Sequence, residues 1–260
     1  MIVRKEANGS LLMIGQTDHS RLVGQFAAHW GNESFAAPQP FDSVVRAAVY
    51  HDYGWLSYET NPTITQDGET PDFRQVGAKQ LDSYQWCVDW MAGIDRYSGL
   101  IVSMHRTGLW RRRYGSIAYP TAFNPRALSD ETEAFITKHE AWQEEQQRTL
   151  DPAQVWTNYR LLQVWDLLGL YFCCAEPTED HIEPAPTSYA GGRADGVTLS
   201  LTPVAPRRVA VDPYPFNERP LGVQLTAKRL PEQRFADLAS FQKAYFQAPT
   251  EILDFELVAA

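Results

Sequence analysis

The chemistry in this chain starts at His51-Asp52, which closes the apolar stretch Val44-Val45-Arg46-Ala47-Ala48-Val49-Tyr50 and runs straight into Tyr53-Gly54-Trp55. Adjacent His and Asp at the end of a helix can grip one metal ion. On a 3.6-residue period the two side chains lie about 100° apart. His51 therefore continues the Val44/Ala48 face, Asp52 continues the Val45/Val49 face, and both turn toward a core. A carboxylate there must neutralise, find a cation or bind a metal. Asp166 is the sharper case, because in Leu161 to Phe172 the only other ionisable side chain is Tyr171. A helix apolar on nearly every side is buried, and a desolvated carboxylate without a partner is driven toward its neutral form. Asp166 must then face a metal or an arginine, such as Arg21 or Arg46 in a structural salt bridge.

The remaining histidines divide by setting. His19 opens an apolar helical face, where the plain reading is a core histidine bonded to a backbone carbonyl. His105 ends Leu100-Ile101-Val102-Ser103-Met104. His139 falls on the Phe135/His139/Trp142 stripe of a charged helix and reads either as inward-facing or as an amphipathic boundary position. His29 points along a different azimuth from His19, and His181 sits in a Pro-rich linker. Cations follow His105 closely, as Arg106 and then Arg111-Arg112-Arg113. Planar guanidinium groups match phosphate oxygens in bidentate fashion. The same run also reads as a solvated basic turn paired with Glu140, Glu144 and Glu145. Tyr53, Trp55 and Trp110 read as pocket walls, although aromatics this frequent in a chain are more often core.

These side chains need elements to carry them. Asn8-Gly9-Ser10 between Ile2 to Lys5 and Leu11 to Ile14 predicts an antiparallel hairpin. Thr17 or Asp18 caps a helix bearing His19, Leu22, Val23, Phe26 and Trp30 at helical spacing, and a second helix is expected from Asp42 to Tyr53. Residues 60–76 read as a long loop of the kind that forms lids or binding segments. Helices are then expected over Lys79 to His105, Ser129 to Thr149 and Pro152 to Ala175, the last opened by Asp151-Pro152. After Glu176 the composition changes to a linker and to short strands at Val197 to Val204, Arg208 to Val211, Leu221 to Ala227 and Ile252 to Val258. A brief helix, Phe235 to Phe246, interrupts them. The expected organisation is a helical domain with its hairpin over 1–178 and a β-rich segment, 179–260, packed on it.

With 260 residues, 44% of them hydrophobic, the chain can bury a large core. Its net charge of -9 argues against general nucleic-acid binding. Three cysteines, Cys87, Cys173 and Cys174, make neither a disulfide framework nor a zinc knuckle. With no signal-peptide core and no apolar run of roughly 18 residues, a cytoplasmic protein without membrane contact is expected. Oligomeric state leaves no mark.

The ordered set resembles the HD-domain superfamily of metal-dependent phosphohydrolases. His19-Ser20-x-x-Val23 is similar to its first ligand, Ala47 to Gly54 to its apolar His-Asp-x-Gly segment, and Val164-Trp165-Asp166-Leu167-Leu168 to its last aspartate. More narrowly, His51 to Trp55 and Pro213-Tyr214-Pro215-Phe216 resemble a bacterial family of unknown function with a His-Asp-x-Gly-Trp signature. The resemblance implies a mostly α, HD-like bundle carrying the hairpin and the β-rich segment. It implies that His19, His51, Asp52 and Asp166 hold a divalent Mn, Fe, Co, Ni or Zn ion. His105 would add a second ion bridged by Asp52, with His139 as an extra ligand. Asp52, His105 and Arg106 would then be catalytic, and Arg111, Arg112, Arg113 and Trp55 would meet a small anionic substrate attacked by a metal-activated water. Trp55 stands where many HD enzymes carry Lys, so that lysine's phosphate contact does not carry over. A di-iron oxygenase like myo-inositol oxygenase uses the same order of ligands and is the alternative enzyme. A non-catalytic ligand-binding protein is the third reading.

Overall fold

The apolar run predicted to be a buried helix is the axis of the molecule. In the computed structural model, which describes residues 1–76, 81–111, 128–191 and 195–260, every residue from 157 to 174 is buried. Its helix, α8 (Pro152–Cys174), starts with Pro in the first turn, and the Asp151 side chain accepts from Ala153 N at 2.9 Å. Ahead of it come β1 (Ile2–Lys5), β2 (Leu11–Ile14), α1 (Gln16–His29), α2 (Phe41–Tyr50), a single 3-10 turn at Tyr53–Trp55, α3 (Leu56–Glu59), α4 (Phe73–Val76), α5 (Leu81–Ile94), α6 (Arg96–Trp110) and α7 (Asp130–Gln147). After it come β3 (Asp180–Ala185), β4 (Val197–Ala205), β5 (Arg208–Asp212), β6 (Leu221–Leu230), α9 (Leu238–Gln247) and β7 (Thr250–Ala259). Helices α1, α2 and α6 pack on α8, and α5 and α7 pack on α6.

The expected mostly α, HD-like bundle is overturned. Among the described residues helix accounts for 49% and strand for 21%, and the strands form one curled seven-stranded sheet rather than two attachments. Its order is β1-β2-β6-β7-β5-β4-β3, with only β5 and β7 parallel. All four residues of β2 are buried, so this strand cannot end a hairpin in water. It pairs on its far side with β6, Leu11 opposite Leu230 and Met13 opposite Lys228. Local patterning detects a hairpin but cannot see a partner more than 200 residues away in the chain. Alternate residues of the sheet, among them Leu199, Leu201, Val209, Val211, Val223, Leu225, Phe255 and Leu257, enter the same core as α1 and α8. Phe172 of α8 meets Phe255 at 4.9 Å between ring centroids. A smaller core gathers Phe241 and Tyr245 of α9 with Met1, Leu11, Met13, Leu230 and Phe235.

Three boundaries also differ. The single helix expected from residue 79 is two, because Asp95 interrupts it and caps α6 by accepting from Ser98 N at 3.2 Å. The segment read as a linker contributes an edge strand, β3, which carries Pro184 as edge strands tolerate. The stretch 60–76 holds α4 and is tied down by Phe73 N donating to the Met1 carbonyl and Phe235 N to the Gly68 carbonyl. Among the described residues no helix is long and apolar enough to cross a membrane.

Candidate metal centre

Helix α1 begins at Gly15, which has no side chain to cap it. Glu59 of α3 does so instead, accepting from Gln16 N, from Thr17 N at 3.2 Å and from the Thr17 hydroxyl at 2.6 Å. A carboxylate at a helix N-terminus satisfies its orphan N–H groups and its dipole. One turn later His19 points into the core and its Nε2 bonds Asp166 Oδ1 at 2.8 Å. The other ring nitrogen, Nδ1, lies 3.7 Å from Cys173 Sγ. Asp166, Gly169 and Cys173 share one face of α8 at i, i+3 and i+7. Gly169 makes the room: a Cβ there would come within 2.7 Å of His19 Cε1 and Val23 Cγ2.

Helix α2 stops at Tyr50, and His51 folds back so that Nδ1–H donates to the Ala48 carbonyl at 2.8 Å. That bond fixes Nδ1 as a protonated nitrogen and leaves Nε2 as the one ring nitrogen able to ligate an ion. Nε2 lies 3.3 Å from Asp166 Oδ1 and 3.6 Å from Asp52 Oδ2 but completes no hydrogen bond. Asp52 is fixed by its N–H donating to Ser20 Oγ at 3.2 Å. Its Oδ1 accepts from Arg106 Nη2, which also donates to the His51 carbonyl at 3.1 Å. The Arg106 guanidinium lies over the Tyr84 ring at 4.2 Å. His105, its neighbour on α6, meets the His51 ring at 4.7 Å. Gly54 lets α5 approach this turn, since a Cβ would stand 2.7 Å from the Ser83 carbonyl oxygen.

The tertiary structure thus brings together His19, His51, Asp52, His105, Arg106 and Asp166 from α1, α6, α8 and the turn that follows α2, none of them more than 4% exposed. Two triads have donor atoms within 4.8 Å of one another, His19–His51–Asp166 and His51–Asp52–His105. Each is able to hold a metal ion. The donor set fits one, because a buried imidazole lone pair aimed at two carboxylates is repulsive until a cation or proton lies between them. A family model described as "Protein of unknown function (DUF3891)" matches residues 1–232. The chain belongs to this family. No curated protein and no solved structure matches it. The matched range contains every one of these side chains and ends before α9 and β7.

Electrostatics reflect the crowding. Burial would lower the His51 pKa, but the carboxylates of Asp52 and Asp166 outweigh it and raise it. Burial opposes ionisation of Asp52, yet Arg106 and then His51, His105 and His19 bring its pKa below the usual carboxylate value. Asp166 falls well below that value, again against burial, through His19, His51 and His105. Burial and the proximity of His51 lower His105 to about 3, so it is neutral. Burial pushes the Cys173 thiol well up, and it remains protonated.

The other candidates lie elsewhere. His139 is buried between α5, α6 and α7, with Nδ1 3.0 Å from Ser103 Oγ and Nε2 3.1 Å from Gln85 Oε1, and it joins neither triad. Gln143 completes that network by donating to Ser103 Oγ at 2.9 Å and Thr107 Oγ1 at 3.2 Å. Arg111, at the end of α6, is held by Glu140 and Glu133, both at 2.8 Å. Arg112 and Arg113 lie outside the described residues. Trp55 is buried with Leu81, Tyr84, Phe135 and Ile136. His29 is near Asn217 and Glu218 at the surface, and His181 is exposed. Sequence reasoning missed Cys173 and Gly169, although their spacing from Asp166 on an apolar helix was there to be read. It also missed Glu59, for which the sequence carries no signal.

Proposed function

We propose that the chain is a metal-dependent phosphohydrolase that acts on a small phosphate ester or nucleotide, with an HD-type order of ligands set against a seven-stranded sheet. The observation that carries the metal part is His51 Nε2, a buried ring nitrogen without a hydrogen-bond partner, facing Asp166 Oδ1 and Asp52 Oδ2 with the His19 and His105 rings beside it. His19 Nε2, His51 Nε2 and Asp166 Oδ1 would hold the ion, and Asp52 would contribute Oδ2. Bound there, a divalent ion supplies Lewis acidity and lowers the pKa of a coordinated water. The protein supplies orientation: the Ala48 carbonyl fixes the His51 ring, Cys173 faces the outer nitrogen of His19, and Arg106 keeps Asp52 ionised. Such partners behind the ligands set ring orientation and ligand basicity. The phosphate part rests on the resemblance of His19-Ser20-x-x-Val23, Ala47 to Gly54 and Val164 to Leu168 to phosphohydrolase motifs. The oxygenase alternative needs His139 as a ligand, and its ring nitrogens are already engaged by Ser103 and Gln85.

The test is phosphate release. Chelator-stripped protein reloaded with Mn²⁺, Fe²⁺ or Zn²⁺ is expected to hydrolyse a member of a panel of phosphomonoesters, nucleotides and cyclic dinucleotides, and His51→Ala is expected to be inactive. Inactivity of the wild type under every metal would rule the reading out.

A further inference from the structure

The two triads have a single atom in common. His51 has committed Nδ1 to the Ala48 carbonyl, so only Nε2 is available, and one lone pair serves one ion. If His51 joins His19 and Asp166, the second triad is left with Asp52 and His105. A carboxylate that bridges two ions with one oxygen on each would need Asp52 Oδ1 for the second, and that oxygen already faces the Arg106 guanidinium, whose charge repels a cation there. Arg106 is as buried as the ligands, flanked by the His51 carbonyl and the Tyr84 ring. A guanidinium held that way does not leave for solvent at small cost, because an unpaired buried charge is strongly disfavoured.

We propose that Arg106 stands in for a second cation and makes the centre mononuclear, with the single ion on the His19–His51–Asp166 side. The charges agree with this assignment. Asp52 is matched by Arg106, and Asp166 and the two imidazoles are left for one divalent ion. Removing the guanidinium uncovers Oδ1, so that Asp52, with Oδ2 on the first ion, offers Oδ1 beside His105 to a second. Arg106 is on this view a positioning residue that sets nuclearity, whatever substrate the enzyme takes.

The inference rests on the metal reading above, and metal counting separates the two. Chelator-stripped wild type dialysed in parallel against Mn²⁺ and Zn²⁺ is expected to retain one ion per chain by elemental analysis. Its Mn²⁺ form is expected to give the electron paramagnetic resonance spectrum of an isolated ion. Arg106→Met is expected to retain two ions, with a spin-coupled Mn²⁺ spectrum, Arg106→Lys to stay at one, and Arg106→Met combined with His105→Ala to return to one. Two ions per wild-type chain overturn the inference and leave the metal reading standing, and that measurement needs no variant to fold. A folded Arg106→Met that stays at one ion also overturns it. No bound ion in the wild type overturns both.

Discussion

Helix α6 carries two buried polar clusters built on opposite principles. Around His105 and Arg106, imidazoles and carboxylates crowd together and His51 Nε2 has no hydrogen-bond partner. Around Ser103 and Thr107, two residues to one side and one to the other, His139, Gln143 and Gln85 join in a network of bonds between 2.9 and 3.2 Å. Both contain a buried histidine in a helical core, and sequence alone gives the two much the same description. The difference is in what the groups face. A histidine placed between a hydroxyl and an amide has a donor for its lone pair and an acceptor for its N–H, and it holds helices together. A histidine whose free lone pair faces two carboxylates is complete only with a cation, and buried polar groups left open in this way mark sites rather than supports.

The largest expected effect comes from removing the atom the two triads share. With metal at about 1,000 times its dissociation constant, wild-type protein gains roughly 4 kcal/mol of stability by linkage. His51→Ala is expected to gain none, read as a melting temperature that no longer responds to Mn²⁺ or Zn²⁺. A full metal-induced shift in that variant would break the comparison at its centre.

The supporting cluster has its own signature, in pH. Burial and Lys138, against the opposing charge of Asp89, lower His139 to about 4. The unfolded chain takes up that proton near pH 6.5, so between about 6.5 and 4 the unfolded state binds more protons and stability falls as pH falls. The slope is up to roughly 1.4 kcal/mol per pH unit for this histidine. His105 slopes the same way in chelated protein, so the quantity to measure is the wild-type profile minus that of His139→Gln. Parallel profiles would show that His139 does not titrate as its setting demands.

Gln143→Leu removes the donors to Ser103 and Thr107 and is expected to cost about 2 kcal/mol of unfolding free energy, with metal stoichiometry unchanged. A change in metal content would show the two clusters to be one. The smallest effect is expected at Cys173→Ala, which takes away the group facing His19 Nδ1. Loss of a partner behind a ligand lowers metal affinity about tenfold at the low end, measurable by competition with a chelator, with little change in the stability of stripped protein. An unchanged affinity would confine the centre to its direct ligands.

How much of this was legible follows from the range over which each residue type speaks. Asp166 announced itself because a carboxylate in an apolar helix has only a few physical outcomes, and His51-Asp52 because the apolar run set its faces. Arg106 was legible as a cation near His105 but not as the partner of Asp52. Both an arginine on phosphate and an arginine on a carboxylate satisfy the same local pattern. Arg111 shows the same ambiguity and is held by Glu140 and Glu133. In the fold, the helices were legible and the sheet was not, since periodicity reports which face of an element is buried and not what lies against it. The wrong expectation of a helical bundle came from there. Leu11 to Ile14 read as half of a hairpin, while its second partner waited at Leu230.

From sequence alone came the buried carboxylates, the helices that carry them and the chemical type of each candidate ligand, because hydrophobic periodicity and the cost of desolvating charge act along the chain itself. Only the tertiary structure decided which nitrogen of His51 is open, which oxygen of Asp52 is taken, and that β2 and β6 join the two ends of the chain in one sheet. Those outcomes depend on distances of a few ångströms between residues separated by tens to hundreds of positions, and no local pattern encodes them.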